Sequence, residues 1–488
     1  MKKLFVLAAS ALLLSACAKE SIKPNEPADQ NGERPLLEIG LNTTKTALGT
    51  EAAGKFPVIW SEGDEIAVID NMGVDGKQNI SVYRLKEGAG TAQGLFEHVS
   101  GDAFPKVIND VVYPASAVDP KTTFLSETLI TDITKLVPKV QNQAYTKDNF
   151  DPKYAVMYFH RNSANEPIKL SPISTIVCIP VMGFDDNDIV TSVRWQNFDG
   201  RTVDITLNCP TGGVKLSKNQ ATNFYLSVPA TSADKNIFNS IVYVYLKNGA
   251  VQVQTPRNRE RFEAGTLHRF PVWQLSKKAK WTILGIGSER EASTYQQRPY
   301  GPGKYMIDGN NISWWEFKRE LNSKKDNVQM AGPHTVILDL GEMRTIKGIG
   351  IKAKEEKDTK GPEYGITYTN TKGETVDVYG TQSYNPPHTY HVAFLNNKPS
   401  QEEINNFAKK TVIWPNGVTK VTMTGDNNGT AFNSIKECYG DTMQNWWKKD
   451  LKNPVNARYV LIHFELAWDN AGTKTARPMM KVAELDIY

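Results

Sequence analysis

Two groups of residues near the C-terminal end of the chain have types and spacings suited to chemistry. In the first, Asp308-Gly309-Asn310-Asn311-Ile312-Ser313 packs a carboxylate, two amides and a hydroxyl into six residues. A tight turn of this kind converges side-chain and backbone oxygens, and calcium needs about six to eight of them. The same turn can close on itself without an ion, the aspartate accepting backbone N–H groups two residues on. The second group is aromatic: Tyr300, Trp446, Trp447 and Trp468. Exposed rings stack on the apolar C–H faces of sugars, while nearby amides and carboxylates fix the hydroxyls. Trp446-Trp447 lies between Gly440-Asp441 and Lys448-Lys449-Asp450, and Trp468 sits in Ala467-Trp468-Asp469-Asn470-Ala471-Gly472, so solvated positions are expected. For each ring the alternative is ordinary packing. Neighbouring strand residues point to opposite faces, so one of Trp314 and Trp315 is expected in a core.

Little else suggests catalysis. The seven histidines are scattered, and the one close pair, His388 and His391, has no metal-site spacing. The sequence contains no HExxH, CxxC, G-x-S-x-G or phosphate-binding glycine loop. Paired carboxylates for glycoside cleavage meet in space and not in sequence, and nothing nominates a pair. Of the four cysteines, Cys178 and Cys209 lie in strand-like runs, where they either pair across a sheet or stay as small buried hydrophobes.

These residues sit in a chain of 488 with 57 basic and 53 acidic residues. Lys2 and Lys3 precede an apolar run of thirteen residues, Leu4 to Ala16, too short to span a bilayer. The run ends in Leu14-Ser15-Ala16-Cys17, which resembles the lipobox of bacterial lipoproteins. The resemblance implies that Cys17 is lipidated and becomes the N-terminus. Without Lys2 and Lys3 the basic count falls from 57 to 55 against 53 acidic residues, a net charge of +2. So balanced a surface gives no electrostatic case for nucleic acid.

Residues 18–35 are polar and proline-containing, a flexible tether. From Leu36 onward, short runs rich in Val, Ile, Tyr and Phe alternate with Gly, Asp, Asn and Pro. That pattern predicts an all-β chain of antiparallel sandwiches. The charged stretch 274–280 reads as a linker, and eight of the ten tryptophans lie from Trp273 onward. One helix is expected at Ser400–Ala408, where Ser400 and Glu403 make a capping box.

Two family resemblances follow. Trp60-Ser61-Glu62-Gly63-Asp64-Glu65-Ile66, then Pro138-Lys139-Val140-Gln141, then Ala264-Gly265 closing on Phe270, resemble the fimbrillin-like (Mfa-like) lipoproteins over about 36–273. The resemblance implies two tandem β-sandwich domains, at 36–160 and 161–273. Trp60 and Asp64 are read as structural. Residues 281–488 resemble the discoidin, or coagulation-factor C-type, domain with its galactose-binding-like relatives. The matching segments are Asp308-Gly309-Asn310 through Trp315, Val336 to Asp339-Leu340-Gly341, Ala457-Arg458-Tyr459-Val460 and Ala483-Glu484-Leu485-Asp486-Ile487-Tyr488. This resemblance implies a jelly-roll β-sandwich and a structural calcium held by Asp308, Asn310, Asn311, Ser313 and Glu484. The segment 384–454 is longer than the family's connection and fits none of its ligand loops.

Together these readings give a non-enzymatic lipoprotein, lipid-anchored at the outer membrane on the cell surface or its periplasmic face. Its expected task is adhesion or glycan binding through the C-terminal module, with a glycan or cell-surface glycoprotein as partner. One alternative is a pilus tip or shaft subunit that assembles with other fimbrial subunits by strand exchange. Another is an accessory protein or hydrolase of glycan degradation.

Overall fold

The computed structural model describes residues 36–41, 59–72, 78–101, 109–118, 132–142, 150–163, 166–198, 202–230, 240–254, 262–295, 298–310, 313–316, 319–321, 327–330, 334–353, 367–369, 375–377, 387–409, 411–424, 447–468, 474–475 and 481–488. Cys17, Asn311, Cys438 and Trp446 lie outside them. The described chain is almost entirely strand, as the alternating apolar runs predict, with one α-helix among the described residues. No described helix is long and apolar enough to cross a membrane.

The chain forms two compact units. The first falls within Met1–Asn42, Ile59–Thr131 and Tyr158–Ser171. It is a closed barrel of seven strands in the order Leu37–Leu41, Gln93–Gly101, Gln78–Glu87, Glu65–Met72, Asn109–Tyr113, Met157–Arg161 and Ile168–Pro172. Ile39–Leu41 pairs in parallel with Ile168–Leu170, which closes the barrel and leaves no open edge. Trp60 is 1% exposed, edge-on to Phe96 and Tyr113 at 4.8 and 5.5 Å. Asp64 accepts the Ser61 N–H at 2.7 Å and the Tyr113 hydroxyl at 3.0 Å, while Gly63 turns the chain at φ +83°. The W-x-x-G-D segment therefore folds a turn onto its own barrel.

The second unit holds Asp132–Met157 and Pro172–Tyr488. Residues 132–142 and 150–157 group with the second unit, and 158–163 and 166–171 with the barrel. One sheet of that sandwich runs Val251–Gln254, Ile241–Leu246, Ile189–Phe198, Thr202–Asn208 and Val140–Asn142. The other centres on Ser174–Met182, flanked by Thr222–Pro229 and Leu267–Arg269. Gln141 ties the two sheets together. Its amide donates to Ser227 O and Pro138 O and accepts the Ser227 N–H at 2.9 Å, all in the interior. Cys178 is buried, with the Arg269 guanidinium donating to its sulfur at 3.2 Å, and no disulfide joins it to Cys209.

The C-terminal module is built on two long bent strands, Thr335–Ala353 and Trp447–Trp468. They pair at 335–339 with 459–463 and, after a register break, at 348–351 with 447–450. The far end of Thr335–Ala353 also pairs with Lys481–Ile487, and its near end with Thr282–Ile286. Val336, Leu338, Leu340, Ile349 and Ile351 enter the main core with Trp315, while Ile337 faces the helix Gln401–Phe407. The helix starts at the expected capping box, with Ser400 and Glu403 bonded reciprocally.

Candidate functional site

The DGN loop follows a short 3₁₀ turn, Gly303–Met306. Asp308 is fully buried. Its Oδ1 accepts the Asn310 N–H at 2.8 Å, an Asx turn, and its Oδ2 accepts the Ser313 hydroxyl at 2.5 Å. Gly309 has φ +80°, and a Cβ there would sit 3.2 Å from both Gln252 Oε1 and Ser276 Oγ. Glycine is needed on both counts. The Gly309 N–H donates to Glu484 Oε1 at 3.2 Å, so the last strand does meet this loop, as the resemblance implies.

The loop is docked and not free. Val253 N–H donates to Asp308 O at 3.0 Å, and the Asn310 side-chain amide donates back to Val253 O at 3.1 Å. Gln252 Oε1 accepts both the hydroxyl and the backbone N–H of Ser276. The DGN loop therefore caps the edge strand Val251–Gln254 of the preceding sandwich.

The stretch expected as a linker completes the cluster. Trp273–Gln274 pairs with Val181 and Met182, and Lys277–Lys280 forms a 3₁₀ turn in which Lys278 and Ala279 are buried. Each lysine finds a carboxylate. Lys277 reaches Asp486 at 2.8 Å, Lys280 reaches Asp185 at 2.7 Å and Asp188 at 3.1 Å, and the Lys278 ammonium donates to Glu484 Oε1. Sequence reasoning misses Lys278 because a lysine in a charged run reads as solvated.

Burial raises the Asp308 carboxyl well above the ordinary aspartate range, and the nearby Glu484 adds to the rise against Lys278 and Ser313. Burial also raises Glu484, with the Lys278 ammonium opposing it. Both follow from taking carboxylates out of water.

As arranged, the described members of the expected calcium cage do not fit that ion. Lys278 occupies Glu484 Oε1, Ser313 and the Asn310 N–H occupy both oxygens of Asp308, and the Asn310 amide nitrogen faces Val253 O. Glu484 Oε2 has no hydrogen-bond partner among the described residues. The Lys278 ammonium meets Glu484, and Asp308 closes an Asx turn on Asn310.

Among the aromatic candidates, Trp446 lies outside the described residues. Tyr300 is 8% exposed and stacks on Trp314 at 5.1 Å, with the Arg290 guanidinium 5.1 Å from its ring, the packing alternative to a sugar platform. Trp314 and Trp315 are both buried, in different clusters on opposite faces. Trp447 is placed by backbone pairing with Ile351, and Trp468 by pairing with Lys474. His391 contacts Glu465 at 2.9 Å and Thr422 at 3.0 Å, and faces His463 across the sheet.

No family model matches the chain, and no curated protein does. Solved structures align over less than half of it. One is the family 32 carbohydrate-binding module of NanJ from Clostridium perfringens in complex with galactose, at 13% identity over 43% of this chain and 95% of that one, TM-score 0.23. Another is a module of the same kind from a family 31 glycoside hydrolase of Clostridium perfringens, at 12% identity over 44% and 94%, TM-score 0.25. A third is a SusE-like protein, at 12% identity over 43% and 97%, TM-score 0.24. Likeness at these scores carries no conclusion about the site.

Proposed function

We propose that this chain is a non-enzymatic cell-envelope lipoprotein that binds glycans through residues 281–488 and serves adhesion. One observation supports the reading most. The four segments behind the discoidin resemblance, far apart in sequence, meet in one sandwich. Thr335–Ala353 pairs with both Trp447–Trp468 and Lys481–Ile487, and Glu484 of the last strand bonds the DGN loop. A β-sandwich with an ordered loop end and no nominated catalytic set is most simply a binder. Anchoring through Cys17 at the outer membrane belongs to the same proposal and rests on the lipobox.

The test is a glycan-array screen of residues 18–488, expressed without the leader. Selective retention of a glycan class, without cleavage, is the expected result. Hydrolysis of a bound glycan would move the protein to the enzyme class. Separately, Cys17→Ala should release the full chain from the membrane fraction, and retention in high salt would remove the anchor from the proposal.

A further inference from the structure

A cleft of about 600 Å³ lies between the turn Asn248–Val251 and the strand Thr282–Ile286. That volume is in the range of small-molecule sites. All five residues of Thr282–Ile286 line it. Side chains alternate along a strand, so five consecutive lining residues mean that the strand presents its edge to the cleft. The pairing agrees, since among the described residues Thr282–Ile286 is laddered only to Thr335–Ala353. Its two faces are occupied. A Cβ on Gly285 would meet Ile404 of the helix at 2.7 Å, and Ile283 and Ile286 lie against Gly303 on the other side.

The charged groups at the rim are one cation and one anion. Lys304 is half-buried and lies 5.3 Å above the Tyr245 ring, with no ion pair or hydrogen bond among the described residues. Burial, then the nearby Arg194, lowers its pKa, with Glu289 and Asp308 opposing, so the ammonium lacks the hydration it would have in water. Glu289 is exposed, and its Oε2 accepts the Gly303 N–H at 2.8 Å. Val251, Ile283 and Ile286 supply apolar surface.

We propose that this cleft binds a neutral glycan segment; the inference rests on the glycan-binding reading above and names its site. A sugar hydroxyl both donates and accepts. The open edge of a strand alternates N–H donors with C=O acceptors, and Lys304 and Glu289 add one of each. The aliphatic surface matches the C–H face of a pyranose, and the opposed rim charges favour neither an acid nor a base as ligand. The cleft lies between the second sandwich and the C-terminal module, so the glycan would span both.

The experiment uses residues 18–488 and four probes: chitotriose, lactose, maltotriose and the acidic trigalacturonate. Calorimetry on the wild type is expected to show binding of at least one neutral probe. Lys304→Met and Glu289→Gln should each weaken that binding by about tenfold or more, the loss of a hydrogen bond to a charged group. Both should melt within a few degrees of the wild type, since Lys304→Met keeps the stem and Glu289 is exposed. Neutral-probe binding that survives both substitutions overturns the cleft and leaves the glycan-binding reading standing. Binding of trigalacturonate alone overturns the neutral class. A wild type that binds none of the four, with an empty array, overturns both.

Discussion

The barrel and the second unit use short motifs in opposite ways. In the barrel, Trp60, Gly63 and Asp64 fold onto their own neighbours: Ile39, Phe96, Tyr113 and Ser61. In the second unit, Asp308, Gly309 and Asn310 reach outward to Val253 and Glu484, and the lysines of 277–280 bind carboxylates on both the second sandwich and the last strand. A motif that closes a turn stabilises one domain. A motif that caps another sandwich's edge strand makes two sandwiches one body. Residues 172–488 should therefore unfold together, and 274–280 should resist the protease expected to cut a charged linker.

The largest effects should separate the two units. Trp60→Ala should cost the barrel about 3–5 kcal/mol, the range for truncating a core aromatic. Lys278→Met should cost the second unit a similar amount, about 3–5 kcal/mol, because it strands Glu484 beside Asp308 without a cation. Calorimetry of each variant should lower one transition and spare the other. A single transition shifted by both substitutions would end the distinction between units. Wild-type melting should be the same in calcium and in chelator, and a calcium-dependent rise would restore the metal reading of the DGN loop.

Acid should act on buried groups of both units, and within the second unit in two directions. His334, in the second unit, is lowered from 6.5 to about 4 by burial and then by the charge of His463. A depressed histidine favours the fold fully above pH 6.5 and loses that contribution as the pH falls toward 4. The loss is on the order of 3 kcal/mol at that shift. His463 is itself lowered by burial and by His391, with Glu465 opposing and Lys420 assisting, so its contribution is likewise lost in acid. Asp64, in the barrel, is raised mainly by burial. Its contribution is complete below the ordinary aspartate value and fades as the pH rises through the raised one. Melting curves from pH 7.5 down to 4 should show the His334 contribution to the second unit being lost, against the gain from the raised Asp308 and Glu484 there, while the Asp64 contribution to the barrel grows. His334→Gln should flatten the first trend and Asp64→Asn the second; curves unchanged by either substitution would remove these groups as the cause.

The smallest effect is local. Ser400→Ala removes the helix cap and should cost about 1 kcal/mol, confined to the second unit. A loss several times larger would mean that the helix over Ile337 and Leu461 holds the sheet together, and is more than a cover.

Several features follow from the sequence alone because they depend on near neighbours. Period-two apolar runs make strands whatever lies beside them, and Ser400 with Glu403 caps a helix within one turn. Gly63 and Gly309 mark turns because few other residues accept their φ values. The Asx turn at Asp308 is equally local, and was one of the two readings that the residues allowed. Only the tertiary structure decides the rest. Whether Asp308 and Glu484 meet a metal or an ammonium depends on where a lysine 206 residues away in sequence from Glu484 comes to lie. Whether Tyr300 is a platform or a packed ring depends on Trp314 covering it. The pairing of Val140–Asn142 with Thr202–Asn208, and the edge position of Thr282–Ile286, depend on which strands find each other. Strand pairing and ion pairing are long-range contacts chosen by total burial, and no local spacing encodes the partner.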